Sequence, residues 1–186
     1  MKKISHLILA SIVFSFVSCN NNQESNPETK TLSKAEMEDF IKQNESLLKP
    51  DLNNEKGKNQ AEVLVKAYQD FITTYPKDTI CAEYLFKAAD ISRGLGRSLH
   101  AVDLYVKLVD QYPSSQKAPL ALFLQGFLFD NELNDDKKAG ELYKLFIEKY
   151  PQNKLVKDAE FSLNNLGKSD EELIEEFEKN QKKNKV

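Results

Sequence analysis

The sequence predicts an all-α, helical-hairpin solenoid of about eight helices, and three observations carry that reading. The dipeptide Tyr-Pro recurs at Tyr75-Pro76, Tyr112-Pro113 and Tyr150-Pro151, so successive prolines stand 37 and 38 residues apart (113 − 76 and 151 − 113). A fixed period of that size marks a stack of helical units. Counting back from each proline, an aromatic ring lies eight residues earlier (Tyr68, Tyr105, Tyr143) and a bulky apolar residue five earlier (Phe71, Leu108, Phe146). Residues three, four and seven apart share one helix face, and proline then stops the helix. The composition agrees: six Gly, six Pro and no Trp, with 40% hydrophobic and 30% charged residues, and long stretches rich in Ala, Leu, Lys and Glu favour helix over strand.

The elements follow in order along the 186 residues, a length that suits one domain plus a tail. Met1-Lys2-Lys3 is a short basic start, and Ile4 to Val17 is an apolar run broken only by His6, Ser11 and Ser15 before Ser18-Cys19. This is the layout of a secretory signal peptide, expected over residues 1–18; an uncleaved anchor is the alternative, although the run is too short to span a bilayer comfortably. Residues 19–32 are polar, contain Pro27 and cannot build a core, which makes them a disordered tether. The helical repeat domain is expected over 33–181, with a basic tail at 182–186. Ser33-x-x-Glu36 is a capping box that opens a helix over Lys34 to Leu48, and Ser169-x-x-Glu172 opens another from Asp170 to about Lys179. Breakers at Gly94-Leu95-Gly96 and Asn131 to Asp136 split each repeat into a hairpin, and Gly167 reads as a helix stop. Pro119 to Asn131 is apolar almost all round, as suits a helix covered on both sides. Ten residues after each repeat proline come Phe86, Phe123 and Phe161, and thirteen after come Ala89, Gly126 and Asn164, small enough to let helices approach closely. Four hairpins result, the first and last acting as caps.

Two resemblances attach to these residues. Phe16-Val17-Ser18-Cys19 resembles the lipobox of bacterial lipoproteins, with Phe16 where that family usually has Leu. The resemblance implies cleavage before Cys19 and lipidation of Cys19, which would hold the protein at a membrane. Asn20, in place of the Asp that often marks inner-membrane retention, leans towards the outer membrane. Ala101-Tyr105-Pro113 and Ala139-Tyr143-Pro151 resemble the tetratricopeptide repeat, as does Leu64-Tyr68-Pro76 with Leu for Ala, and Leu85 with Ala88 and Ala89 in the preceding helix. The periods exceed the 34 residues of that family, a lengthening seen in its envelope branch, which includes outer-membrane barrel-assembly and Tol-Pal coordinating lipoproteins. The resemblance covers roughly Gln60 to Leu166. It implies a concave partner-binding groove along the first helices of the hairpins, carrying Phe86, Phe123 and Phe161, with Asp90, Phe127 and Asn165 one turn further on. Helical spacing equally allows these rings to fill gaps between repeats.

Other function classes find little support. With the signal removed, 24 basic residues face 29 acidic ones, a net of −5 (26 − 2 − 29), which offers no electrostatic footprint for nucleic acid. No His, Cys or carboxylate cluster has metal-ligand spacing, and no cofactor is expected. His100 reads as a surface residue. Gly94 to Ser98 lacks the strand and spacing of a phosphate loop, and Asp130 to Asp136 lacks the central Gly of a calcium loop, leaving Asp135 or Asp136 as a helix N-cap. The acidic run Asp170 to Glu178, followed by lysines, reads as a solvated helix. Cys81 has no activating neighbour and is expected buried and inert. The chain is therefore expected to be no enzyme but an interaction scaffold binding other envelope proteins. The alternative is an accessory that captures a glycan or peptide, although it lacks the Trp platforms of longer glycan-binding relatives.

Overall fold

The computed structural model describes residues 32–48, 52 and 54–183. The expected signal peptide, Cys19, the tether up to Thr31 and residues 184–186 of the basic tail lie outside the described residues. Eight helices follow one another: α1 (Lys34–Leu47), α2 (Glu55–Thr74), α3 (Cys81–Gly94), α4 (Ser98–Gln111), α5 (Ala118–Asn131), α6 (Asp136–Lys149), α7 (Val156–Asn165) and α8 (Asp170–Lys183). The described residues contain no strand.

The helix ends have the local causes read from the sequence. At α1 the Ser33 hydroxyl accepts from the Glu36 amide while the Glu36 carboxylate accepts from the Ser33 amide, and Ser169 and Glu172 repeat this reciprocal cap at α8. Asp135 caps α6 by accepting from the Lys138 amide at 3.0 Å. The three Tyr-Pro junctions are copies of one turn. Tyr75, Tyr112 and Tyr150 share φ between −126° and −131° and ψ between 53° and 55°, outside the helical well that a following proline disfavours. Two residues after each proline, a side-chain oxygen of Asp78, Ser115 or Asn153 accepts from the amide two positions on, the local bond that makes such residues turn formers. Gly96 and Gly167 close the α3–α4 and α7–α8 connections at φ +72° and +73°, conformations that only glycine adopts without strain.

Packing runs along the chain, each helix from α1 to α6 lying on the next. The repeat aromatics and the bulky apolar residues three later form the axis of the core: Tyr68, Tyr105 and Tyr143 with Phe71, Leu108 and Phe146 are all buried, beside Leu64, Ala101 and Ala139. Close approach is what the small residues allow. A Cβ added to Gly126 would stand 3.0 Å from the Tyr143 ring, and Ala89 in the same register is fully buried. Helix α5 is covered from both sides, by α4 and α6, as its apolar circumference requires.

Helix α7 buries only Ala159, Asn164 is exposed, and on α8 Leu173 is half-buried and Ile174 exposed. Helix α8 also continues to Lys183, so the expected boundary between domain and tail at 181/182 falls inside a helix.

Candidate functional site

Ion pairs link the odd-numbered helices α1, α3 and α5. Lys87 of α3 bonds Glu45 of α1 at 2.8 Å, Lys117 at the head of α5 reaches Glu83 of α3 at 3.4 Å, and Arg93 of α3 reaches Glu132 at the end of α5 at 3.4 Å. On this face lie the residues that the spacing singled out, and the structure places them unequally. Phe86 is 8% exposed, with its ring centroid 5.5 Å from that of Tyr105 and the Lys117 ammonium 4.6 Å above it. It belongs to the junction between hairpins. Phe123 is half-buried against Tyr143 and Phe146, at 5.8 and 5.6 Å. Phe127 is half-buried with the Arg93 guanidinium 5.8 Å from its ring centre. Phe161 is 64% exposed. One turn beyond it, Asn165 donates to the Phe161 carbonyl at 2.7 Å and accepts from the Lys168 ammonium at 2.9 Å.

Asp90 has a structural role as well as an exposed position. It accepts a short hydrogen bond from the buried Tyr105 hydroxyl. The same device recurs in each complete hairpin: Tyr68 donates to Glu45 at 2.6 Å and Tyr143 to Asp130 at 3.1 Å. A buried phenol needs a partner, and a carboxylate at the rim of the face supplies one. Burial, with Asp130 beside it, pushes Tyr143 up to about 12, and burial together with Glu45 and Asp90 raises Tyr68 and Tyr105 further. Burial also raises Asp130 above the ordinary carboxylate range. At Glu45 burial pushes the same way, but the bonds from Lys87 and Tyr68 prevail and hold the carboxyl below that range.

The sequence reading missed the cations. Lys117 and Arg93 come from neighbouring helices, and only the stacking of hairpins brings them over the rings. It missed the tyrosine–acid pairs for a related reason: Asp90 lies fourteen residues after its repeat proline but Asp130 seventeen after, so the partner shifts by one turn and Phe127 takes the position of Asp90. His100 is corrected from a surface residue to a half-buried one. Its Nδ1 lies 3.2 Å from the Ser92 hydroxyl oxygen and its Nε2 3.1 Å from the Gln69 amide. Because the Ser92 hydroxyl already donates to the Ala88 carbonyl, the ring must carry its proton on Nδ1 to satisfy both contacts. Cys81 is fully buried, its thiol donating to the Tyr75 carbonyl at 3.2 Å, and burial raises its pKa.

The family model of the tetratricopeptide repeat matches residues 120–153, which run from α5 through the third Tyr-Pro turn. The fold is a tetratricopeptide-type solenoid. Tetratricopeptide repeats are protein-interaction modules that are typically non-catalytic. No curated protein matches the chain. Among the described residues, no group of three or more His, Cys, Asp or Glu is placed to hold a metal ion, and no helix is long and apolar enough to cross a membrane.

Proposed function

We propose that the chain is a membrane-tethered scaffold of the bacterial cell envelope, held by an acylated Cys19 at the outer membrane, that grips other envelope proteins along its odd-numbered helices and serves assembly or maintenance of an envelope complex. The observation that carries the binding surface is the presented ring of Phe161, with Asn165 one turn beyond it, half-buried Phe127 on α5 and exposed Asp90 on α3. A large exposed ring with polar neighbours on a rigid helix is the kind of anchor that dominates protein interfaces. The apolar run ending at Ser18-Cys19 supports the tether.

A photocrosslinking residue placed at Phe161 in intact cells should capture a discrete protein. The same residue at Leu145, exposed on α6, should not. Equal capture from both positions, or none from Phe161, would remove the groove reading. Cys19→Ser should abolish lipid labelling and alter membrane association. Persistent labelling would remove the tether.

A further inference from the structure

The junctions inside the solenoid follow one register, and both ends of the chain carry an unused half of it. Eleven residues before each repeat proline stand Val65, Val102 and Gly140, all buried. Val65 faces the following hairpin, beside Arg97 and His100, and Gly140 lies under Leu163 and Leu166 from the following helix and its cap. In α4 and α6 this position is also five residues past the N-cap, Arg97 or Asp135. Five past Ser169, the cap of α8, stands Ile174, which is 60% exposed. Glu171 likewise takes the register position of Glu62, which pairs with Arg97 of the next hairpin.

The matching half is at the other end. Thirteen and nine residues before the second repeat proline, His100 reaches back to Gln69 of α2 and Leu104 is 1% exposed. In the first hairpin those positions are Val63 and Ala67. There Val63 is 43% exposed, and with Leu32, Met37, Phe40 and Ala67 it lines an apolar cleft of about 290 Å3 with Lys66 and Asp70 at its rim. It is the place that α2 fills on the second hairpin.

We infer that α8 of one copy seats in the α1–α2 cleft of a second copy, continuing the internal hairpin junction from one molecule to the next. The occupant is a second copy because this one chain carries both halves of the junction, in register, at opposite ends. Ile174 enters the cleft between Phe40 and Val63, with the exposed Glu171 beside the rim at which Lys66 pairs with Asp70. The contact is heterologous, so it propagates into short stacks unless it closes as a ring.

The test uses two differently tagged full-length chains expressed together, one Val63→Cys and the other Ile174→Cys. Mild oxidation should give a disulfide-linked product bearing both tags. Phe40→Glu on the first chain, or Ile174→Lys compared by sedimentation of the otherwise native chain, should weaken association about tenfold or more while leaving thermal melting unchanged, since both side chains are exposed. Absence of the two-tag product would overturn the inference. So would equal linking of Val63→Cys to itself, which would indicate a two-fold pairing, or a two-tag product indifferent to Phe40→Glu. Asp90→Asn should leave the product unchanged, so failure here is separable from failure of the partner groove.

Discussion

Truncating Phe86 and Phe161 to Ala should have opposite consequences although the two rings occupy the same register. Phe86 is 8% exposed, packed on Tyr105 and roofed by Lys117. Removing so deeply covered a ring leaves a cavity and costs about 3 to 5 kcal/mol. At roughly 2 to 4 °C per kcal/mol for a domain of this size, Phe86→Ala should melt about 10 °C below the native chain. Phe161 is 64% exposed, so about a third of its side chain is covered, and that third contributes under about 1 kcal/mol. Phe161→Ala should therefore melt within about 4 °C of the native chain yet lose capture of the partner crosslinked at that face. Circular dichroism melting of both variants, read beside capture in cells, checks the argument. It fails if Phe161→Ala melts as low as Phe86→Ala, or if Phe86→Ala melts normally.

Three further outcomes follow from particular side chains. Gln125 is 4% exposed and its amide nitrogen has no hydrogen-bond partner among the described residues, so Gln125→Leu should raise stability by about 1 kcal/mol; a lower melting temperature would show that the amide is satisfied. Burial raises the Asp130 pKa in the folded chain, so folding favours the protonated form and this carboxyl lowers stability as pH rises through its folded pKa. Asp130→Asn should therefore be the more stable chain at neutral pH, with the difference shrinking as pH falls below that pKa; a gap that widens on acidification would reverse the sign. Cys81 is fully buried with a raised pKa, so a thiol reagent should modify it slowly until the chain unfolds, and fast labelling of native protein would contradict that burial.

The helices were legible because their punctuation is local. A Tyr-Pro stop, a capping box or a glycine at positive φ acts through bonds within a few residues, and each lies where the sequence implies. The core aromatics were legible from register, because Tyr68, Tyr105 and Tyr143 meet equivalent neighbours in every hairpin. The groove was legible only as a set of positions. Whether a ring at Phe86, Phe123 or Phe161 is covered depends on the element that follows, and the last repeat lacks the cover of the earlier ones. For the same reason His100 was misread: its partners, Ser92 and Gln69, lie on two other helices.

The ion pairs between odd-numbered helices join α1 to α3 and α3 to α5, and among the described residues none joins α5 to α7, where Ala159 is the one buried side chain. A stack whose units touch only their neighbours opens from its weakest junction. Unfolding should therefore unzip from the C-terminal end, with the amides of α8 and α7 exchanging hydrogen first and those of α3 and α4 last. If the chain is held through Cys19 as proposed, a pull on its C-terminal side would open α8 and α7 first and leave α1 to α6 folded.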